Sequence, residues 1–149
     1  MTDPNPPLFD RVMALKAAGD FAAISALIPY SGFVGFELLS ENDQLITLLR
    51  CRPSNIGNTT IPAVHGGVVG ALLEHAGVMH IIHDCEITRF PKIINISVDY
   101  LRPCLGTEDT YARAYLVKQG RSVSNVRVEA WQSDPQRPVA AAHAHFLMR

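Results

Sequence analysis

Apolar residues nearly encircle one stretch of this chain and alternate with polar ones over much of the rest. Between Gly66 and about Asp84, the residues Val68, Val69, Leu72, Leu73, Val78, Met79, Ile81 and Ile82 are not confined to one stripe. A helix that is apolar all round is buried all round, so the pattern predicts one long central helix. Further on the period changes to two. Ile94, Ile96, Val98 and Tyr100 alternate with Asn95, Ser97 and Asp99, and Val126 and Val128 alternate with Arg127 and Glu129. That is the pattern of half-buried strands. Thr110 to Lys118 and Val139 to Met148 complete the strand-rich half. The short turns at Gln119-Gly120 and Ser133-Asp134-Pro135 imply antiparallel neighbours.

The first third reads as helix, then strand. Leu8, Val12 and Leu15 fall at helical spacing after Pro7, a good helix starter. Gly19 stops that piece, and Asp20 is placed to cap a second one running to about residue 27. Phe33 to Leu39 and Gln44 to Arg52 read as strands flanking the turn residues Ser40-Glu41-Asn42-Asp43, and Pro53 to Pro62 as a polar loop. The sum is an α+β arrangement, five or six antiparallel strands wrapped around one buried helix. With no repeat or linker, residues 1–149 read as a single domain, a helical segment over 1–30 preceding a core over 31–149.

Composition narrows the function. The chain is 48% hydrophobic and 18% charged, a globular balance. Its net charge of -1 and lack of a lysine-arginine block argue against nucleic acid or an anionic membrane as partner. The N-terminal residues MTDPNPPLFDRVM show no basic segment followed by an apolar run, so no secretory signal is expected. Val68 to Ile82 is interrupted by Glu74, His75 and His80, which makes it a poor membrane span. Three scattered cysteines, Cys51, Cys85 and Cys104, suggest reduced thiols and a cytoplasmic location.

Glu74 stands out because it lies among Ala71, Leu72, Leu73, Ala76, Gly77 and Val78. A desolvated carboxylate needs partners or a purpose. It either pairs with a cation or histidine, or serves as a base of raised pKa. Gly66-Gly67 opens the helix. The first amides of a helix lack intrahelical acceptors and carry the positive end of its dipole, so they suit an oxyanion. A plain glycine turn is the alternative. Glu74 lies about two turns further on, and a ligand at the helix start is expected to meet both.

The run His65-Gly66-Gly67-Val68-Val69-Gly70-Ala71-Leu72-Leu73-Glu74 resembles the signature of PaaI-type hotdog-fold acyl-CoA thioesterases, with the acid nine positions after the histidine. Tyr100-Leu101-Arg102-Pro103, Gly120-Arg121-Ser122 and the small residues Val139 to Ala142 resemble further family motifs, in consistent order over roughly residues 33–148. The resemblance implies Glu74 as nucleophile or general base and the Gly66 amide, with Gly67, as oxyanion donors. His65 would shape the loop and contact substrate, and CoA would pass Arg102 and the Gly120–Ser122 turn. It further implies an acyl-CoA substrate, no metal or other cofactor, and dimers or dimers of dimers (a homotetramer) with active sites at the subunit interface. Relatives place an Asn or Gln six positions before the histidine, where this chain has Thr59 preceded by Asn58, and some carry Thr or Ser where it has Val78. Two alternatives stay open, a non-catalytic acyl-CoA-binding module and a hotdog dehydratase or hydratase. The dehydratase motifs His-Phe-Pro-Gly and Asp-x-Asn-Pro-x-His are absent from the sequence.

Other features read as structural. His80, His83 and Cys85 match no closed zinc spacing. His143 and His145, on one strand face, and Tyr100, Tyr111, Tyr115 and Trp131 are expected in the core or at an interface. Cys104 has no base nearby in sequence and is not expected to be a nucleophile.

Overall fold

In the computed structural model the apolar stretch forms helix α4, Gly66–Asp84, buried without interruption from His75 to Ile82. The structure describes residues 7–149; residues 1–6, part of the stretch read as lacking a secretory signal, lie outside them. Six antiparallel strands curve around α4: β1 Phe36–Glu41, β2 Gln44–Leu49, β5 Lys92–Tyr100, β6 Thr110–Gln119, β7 Val123–Trp131 and β8 Ala140–Leu147. Their order across the sheet is β1-β2-β6-β7-β8-β5, which leaves β1 and β5 as edges. This is the expected hotdog arrangement, an α+β fold with its sheet wrapped around a long central helix.

Alternation decides which residues face α4. Ala112 and Ala114 of β6, Val126, Val128 and Ala130 of β7, and Ala140, Ala142, Ala144 and Phe146 of β8 are all essentially inaccessible. Burial of each of the large apolar side chains Leu72, Leu73, Ile81, Ile82 and Phe146 stabilises the fold by about 1.5–3 kcal/mol. The many alanines let the helix settle close to the sheet. At Gly77 a Cβ would stand 3.2 Å from the Phe146 ring, so glycine sets the closest approach.

The N-terminal segment follows the sequence reading at first. Helix α1, Leu8–Ala17, starts after Pro7. Gly19 breaks it at φ 71°, and Asp20 caps α2, Phe21–Ala26, by accepting the Ala23 N–H at 3.0 Å. A third helix, α3 over Pro29–Val34, takes the place of the first part of the strand expected from Phe33. Pro29 presets its first turn, and Gly35 ends it in the left-handed region at φ 89°. The β1–β2 turn is tighter than expected, only Asn42 and Asp43, both at positive φ as a type I′ hairpin requires.

Two further departures shape the site. The loop after β2 contains a helical turn at Pro53–Asn55 and a small hairpin, β3 Ile56–Asn58 with β4 Ala63–Val64. In β5 the pairing with β8 shifts between Ile93 and Asn95, a bulge. Ile93, rather than the expected Ile94, therefore packs on the core beside Ile96 and Val98, and Ile94 is 56% exposed. No helix among the described residues is long and apolar enough to cross a membrane.

Candidate active site

The start of α4 is held by its own cap. His65 precedes the helix at φ -57° and ψ 131°, and its Nδ1 accepts the Gly67 N–H at 2.9 Å. The Val68 and Val69 amides donate to the His65 carbonyl at 2.9 and 3.1 Å. Among the described residues this leaves the Gly66 N–H with no acceptor. The Gly67 amide, expected to share the oxyanion role, is already spent on the cap. Because Nδ1 accepts, a neutral His65 carries its proton on Nε2, on an exposed ring.

Distant contacts complete this end. The His65 N–H donates to the Asn55 carbonyl and the Val64 N–H to that of Cys104, both at 2.8 Å. Tyr100, expected in the core or at an interface, is 59% exposed and donates its hydroxyl to the Gly66 carbonyl at 2.8 Å. It lies against Gly66 and Gly70, one turn apart, where a Cβ would approach it to 3.5 and 3.6 Å. Its place in the Tyr-Leu-Arg-Pro run was the signal available in the sequence. Asn58 uses its side-chain oxygen to accept the Thr60 and Ile61 amides at 3.0 and 3.1 Å. Gly57 was missed as a site residue: a Cβ there would fall 2.6 Å from the His65 Cα. Gly57→Ala is therefore expected to push the hairpin off His65, lowering both turnover and the denaturant-derived stability, the latter by about 1–3 kcal/mol.

Glu74 lies elsewhere. It is half-buried on the wall of a cavity of about 270 Å³, with Phe36, Ala71, Val78, Ile93 and Phe146 around it. Burial pushes its pKa above the ordinary 4.5. Neither His65 nor Gly66 lines that cavity. Eight residues of α-helix separate Gly66 from Glu74, a rise of about 12 Å. Within one copy that rise is more than a single carbonyl group can span. A larger concavity of about 830 Å³ opens on the outer sheet face beside Tyr111 and Trp131, but holds none of the candidate residues.

The sheet register divides the other candidates in the same way. Lys92, Leu147 and Val123 lie in one row, and Tyr100, Ala140 and Ala130 in another, eight residues along β5, or roughly 26 Å. Arg102 is at the Tyr100 end, where its Nη1 donates to the Pro138 carbonyl at 2.6 Å. The Gly120–Ser122 turn is at the Val123 end, with Arg121 exposed. A Cβ on Gly120 would meet the Val123 carbonyl oxygen at 2.6 Å, so the turn needs glycine. The Ser122 carbonyl accepts from the Met148 N–H at 2.8 Å. One copy does not bring Arg102 and Arg121 together.

His75, beside Glu74, is a structural residue. Its Nε2 is 2.8 Å from Ser25 Oγ, which is 2.8 Å from Ser31 Oγ, and its ring packs 5.0 Å from that of Phe36. Burial lowers its pKa from 6.5 to about 4. An unfolded imidazole takes up a proton as pH falls through 6.5, while the folded one resists until about 4. In that window the unfolded state binds more protons, so His75 makes stability fall on acidification, by about 3 kcal/mol in total. Denaturant titrations at pH 7 and pH 4.5 should show that loss in the wild type and a smaller one in His75→Gln.

The remaining polar groups take structural partners. His80 and His83 both contact Asp84, and among the described residues no cluster of three candidate ligands forms a metal site. Cys104 is buried against Thr110 Oγ1 at 3.2 Å, and burial pushes its thiol pKa up, away from nucleophilic use. His143 and His145 pair across the sheet with Arg127 and Asn125.

Known proteins share this framework. The chain is 27% identical to the medium/long-chain acyl-CoA thioesterase YigI of Escherichia coli K12, over 91% of this chain and 94% of the relative. A Chromobacterium violaceum protein of solved structure is 34% identical and superposes with a TM-score of 0.75, covering 94% of this chain and 97% of that one. The E. coli PaaI protein, from the phenylacetic acid degradation operon, shares the fold at TM-score 0.75 and 17% identity, over 90% of this chain and 94% of its own. The model of the thioesterase superfamily matches residues 62–139, about half the chain, from the approach to His65 through the end of β7. With the capped glycine helix start and the half-buried glutamate both inside that match, the chain belongs to the thioesterase superfamily.

Proposed function

We propose that this protein hydrolyses acyl-CoA thioesters, with Glu74 as nucleophile or general base and the Gly66 amide as oxyanion donor. The observation that carries this reading is the Gly66 N–H at the start of α4, which has no acceptor among the described residues. A preorganised donor of this kind suits the oxygen of an attacked carbonyl. Either Glu74 attacks the thioester carbon, CoA thiolate leaves, and water then cleaves the acyl-glutamyl anhydride to the free acid, or Glu74 takes a proton from an attacking water and CoA thiolate leaves as the carbonyl re-forms. No cofactor is needed for that sequence. YigI, a relative over nearly its whole length, supports acyl-CoA as the substrate class.

The separation of Gly66 from Glu74 supports an active site shared between two copies. Among the described residues the outer edge of β5 has no partner strand, and exposed edges pair. A two-fold axis running two β5 strands antiparallel would set the Tyr100 end of one copy beside the Lys92 end of the other. Gly66, His65 and Arg102 of one copy would then face Glu74 and the Gly120–Ser122 turn of its partner. Arg102 and Arg121, with Ser122, suit the CoA phosphates in that frame, and Asn58 shapes the loop beside the carbonyl. The same reading takes residues 1–149 as one domain that assembles as a dimer or dimer of dimers. Three free cysteines accord with a cytoplasmic setting. The test is thiol release from a panel of acyl-CoAs by the wild-type protein. Tight binding without turnover across the panel would favour a binding module instead, and hydration of an enoyl-CoA would favour a hydratase.

A further inference from the structure

The cavity beside Glu74 has a wall from outside the strand-and-helix core. Ile28 and Tyr30, at the start of α3, line it together with Phe36, Val78, Ile93 and Phe146. Apart from Glu74, His75 and Ser31, its lining is apolar or aromatic. The wall is fixed in place, because the buried chain Ser31–Ser25–His75 ties α3 and α2 to α4 through two contacts of 2.8 Å. At about 270 Å³ the space falls below the usual range for drug-sized ligands. It fits one flexible apolar chain better than a nucleotide.

We propose that this cavity holds the acyl chain of the substrate, and that Ile28 and Tyr30 set the chain length accepted. The inference rests on the thioesterase reading and adds to it a location and a measuring device. The thioester carbon would lie at the Glu74 end, with the hydrocarbon tail running beneath α3. The substrate class is then an unbranched, apolar acyl group of limited length. Each methylene buried should raise kcat/KM by about threefold to fourfold until the cavity is full. Beyond that length the gain stops.

The experiment measures kcat/KM on straight-chain acyl-CoAs from butyryl to palmitoyl for wild type, Ile28→Trp and Tyr30→Ala. Tyr30 is 48% exposed and Ile28 only partly buried, so both variants should fold. Ile28→Trp is expected to lower kcat/KM at least tenfold more on the longest chain that the wild type prefers than on butyryl-CoA. Tyr30→Ala is expected to move the optimum to longer chains. Length profiles in both variants that keep the wild-type ratios between chain lengths would overturn the placement and leave the thioesterase reading standing. Absence of hydrolysis by the wild type would instead count against that reading. In that case, calorimetric titration with alkyl-CoA thioethers still reports the cavity. Weaker binding of the long thioethers by Ile28→Trp supports the placement, and equal binding refutes it.

Discussion

Glu74→Gln should lower kcat for thioester hydrolysis by about 10²–10⁴-fold and leave KM nearly unchanged. The amide keeps the size of the carboxylate and its place in the cavity but can neither attack nor accept a proton. In the wild type, half-burial raises the Glu74 pKa above 4.5. Below that folded-state value Glu74 is protonated and inactive. The acid limb of the kcat profile should therefore fall at a higher pH than an ordinary glutamate would give, and should disappear in the residual activity of the variant. Stability supplies a second, opposite-signed signature. A folded carboxyl with a raised pKa holds its proton more tightly than the unfolded one, so it loses stability as pH rises through the folded pKa. At neutral pH the Gln variant should be as stable as the wild type or more so. A glutamate that served a structural ion pair would behave the other way, with its removal destabilising and turnover little changed.

The second large effect comes from removing one proton at the start of α4. Gly66→Pro deletes the N–H proposed as oxyanion donor, at the first helical position, where proline is tolerated. His65 already has the extended ψ of 131° that a residue before proline favours. Turnover should fall by about 10²–10³-fold. Gly66→Ala keeps the N–H, and its Cβ would meet Tyr100 at an ordinary 3.5 Å, so it should stay near wild type. If proline and alanine behave alike, Gly66 is not the donor.

The two crippled proteins also test the shared site. Unfolded together at equal amounts and refolded, Glu74→Gln and Gly66→Pro should recover about a quarter of wild-type turnover. Half of the dimers would be mixed, and each mixed dimer would hold one site free of both changes. If each copy supplied its own complete site, every site would carry a defect and no recovery would occur.

Much of the fold was legible because its signals are local. The all-round apolar run of α4 and the alternation in β6, β7 and β8 follow from periodicity, and burial of those same faces holds the structure together. Asp20 and Gly19 marked helix boundaries through their own backbone chemistry. Helix α3 is masked in the sequence because Phe33 lengthens an apolar run toward Leu39, although Pro29 and Gly35 bracket it. The choice of Ile93 over Ile94 depends on how β5 slips against β8, which no single strand encodes.

For the site, the sequence by itself determined which groups are chemically unusual: a glutamate in apolar surroundings, and glycines at a helix start. It also placed them two turns apart, and helical rise turns that spacing into a distance that a single thioester carbonyl does not span. Tertiary structure alone decided the rest. The rotamer of His65 claims the Gly67 amide and leaves that of Gly66 free. Tyr100 and Gly57 reach the helix start from other elements. The wall beside Glu74 comes from α3, which is joined to α4 through Ser25 and His75, fifty positions apart. These are contacts between residues distant along the chain, and they exist only once packing has brought their elements together.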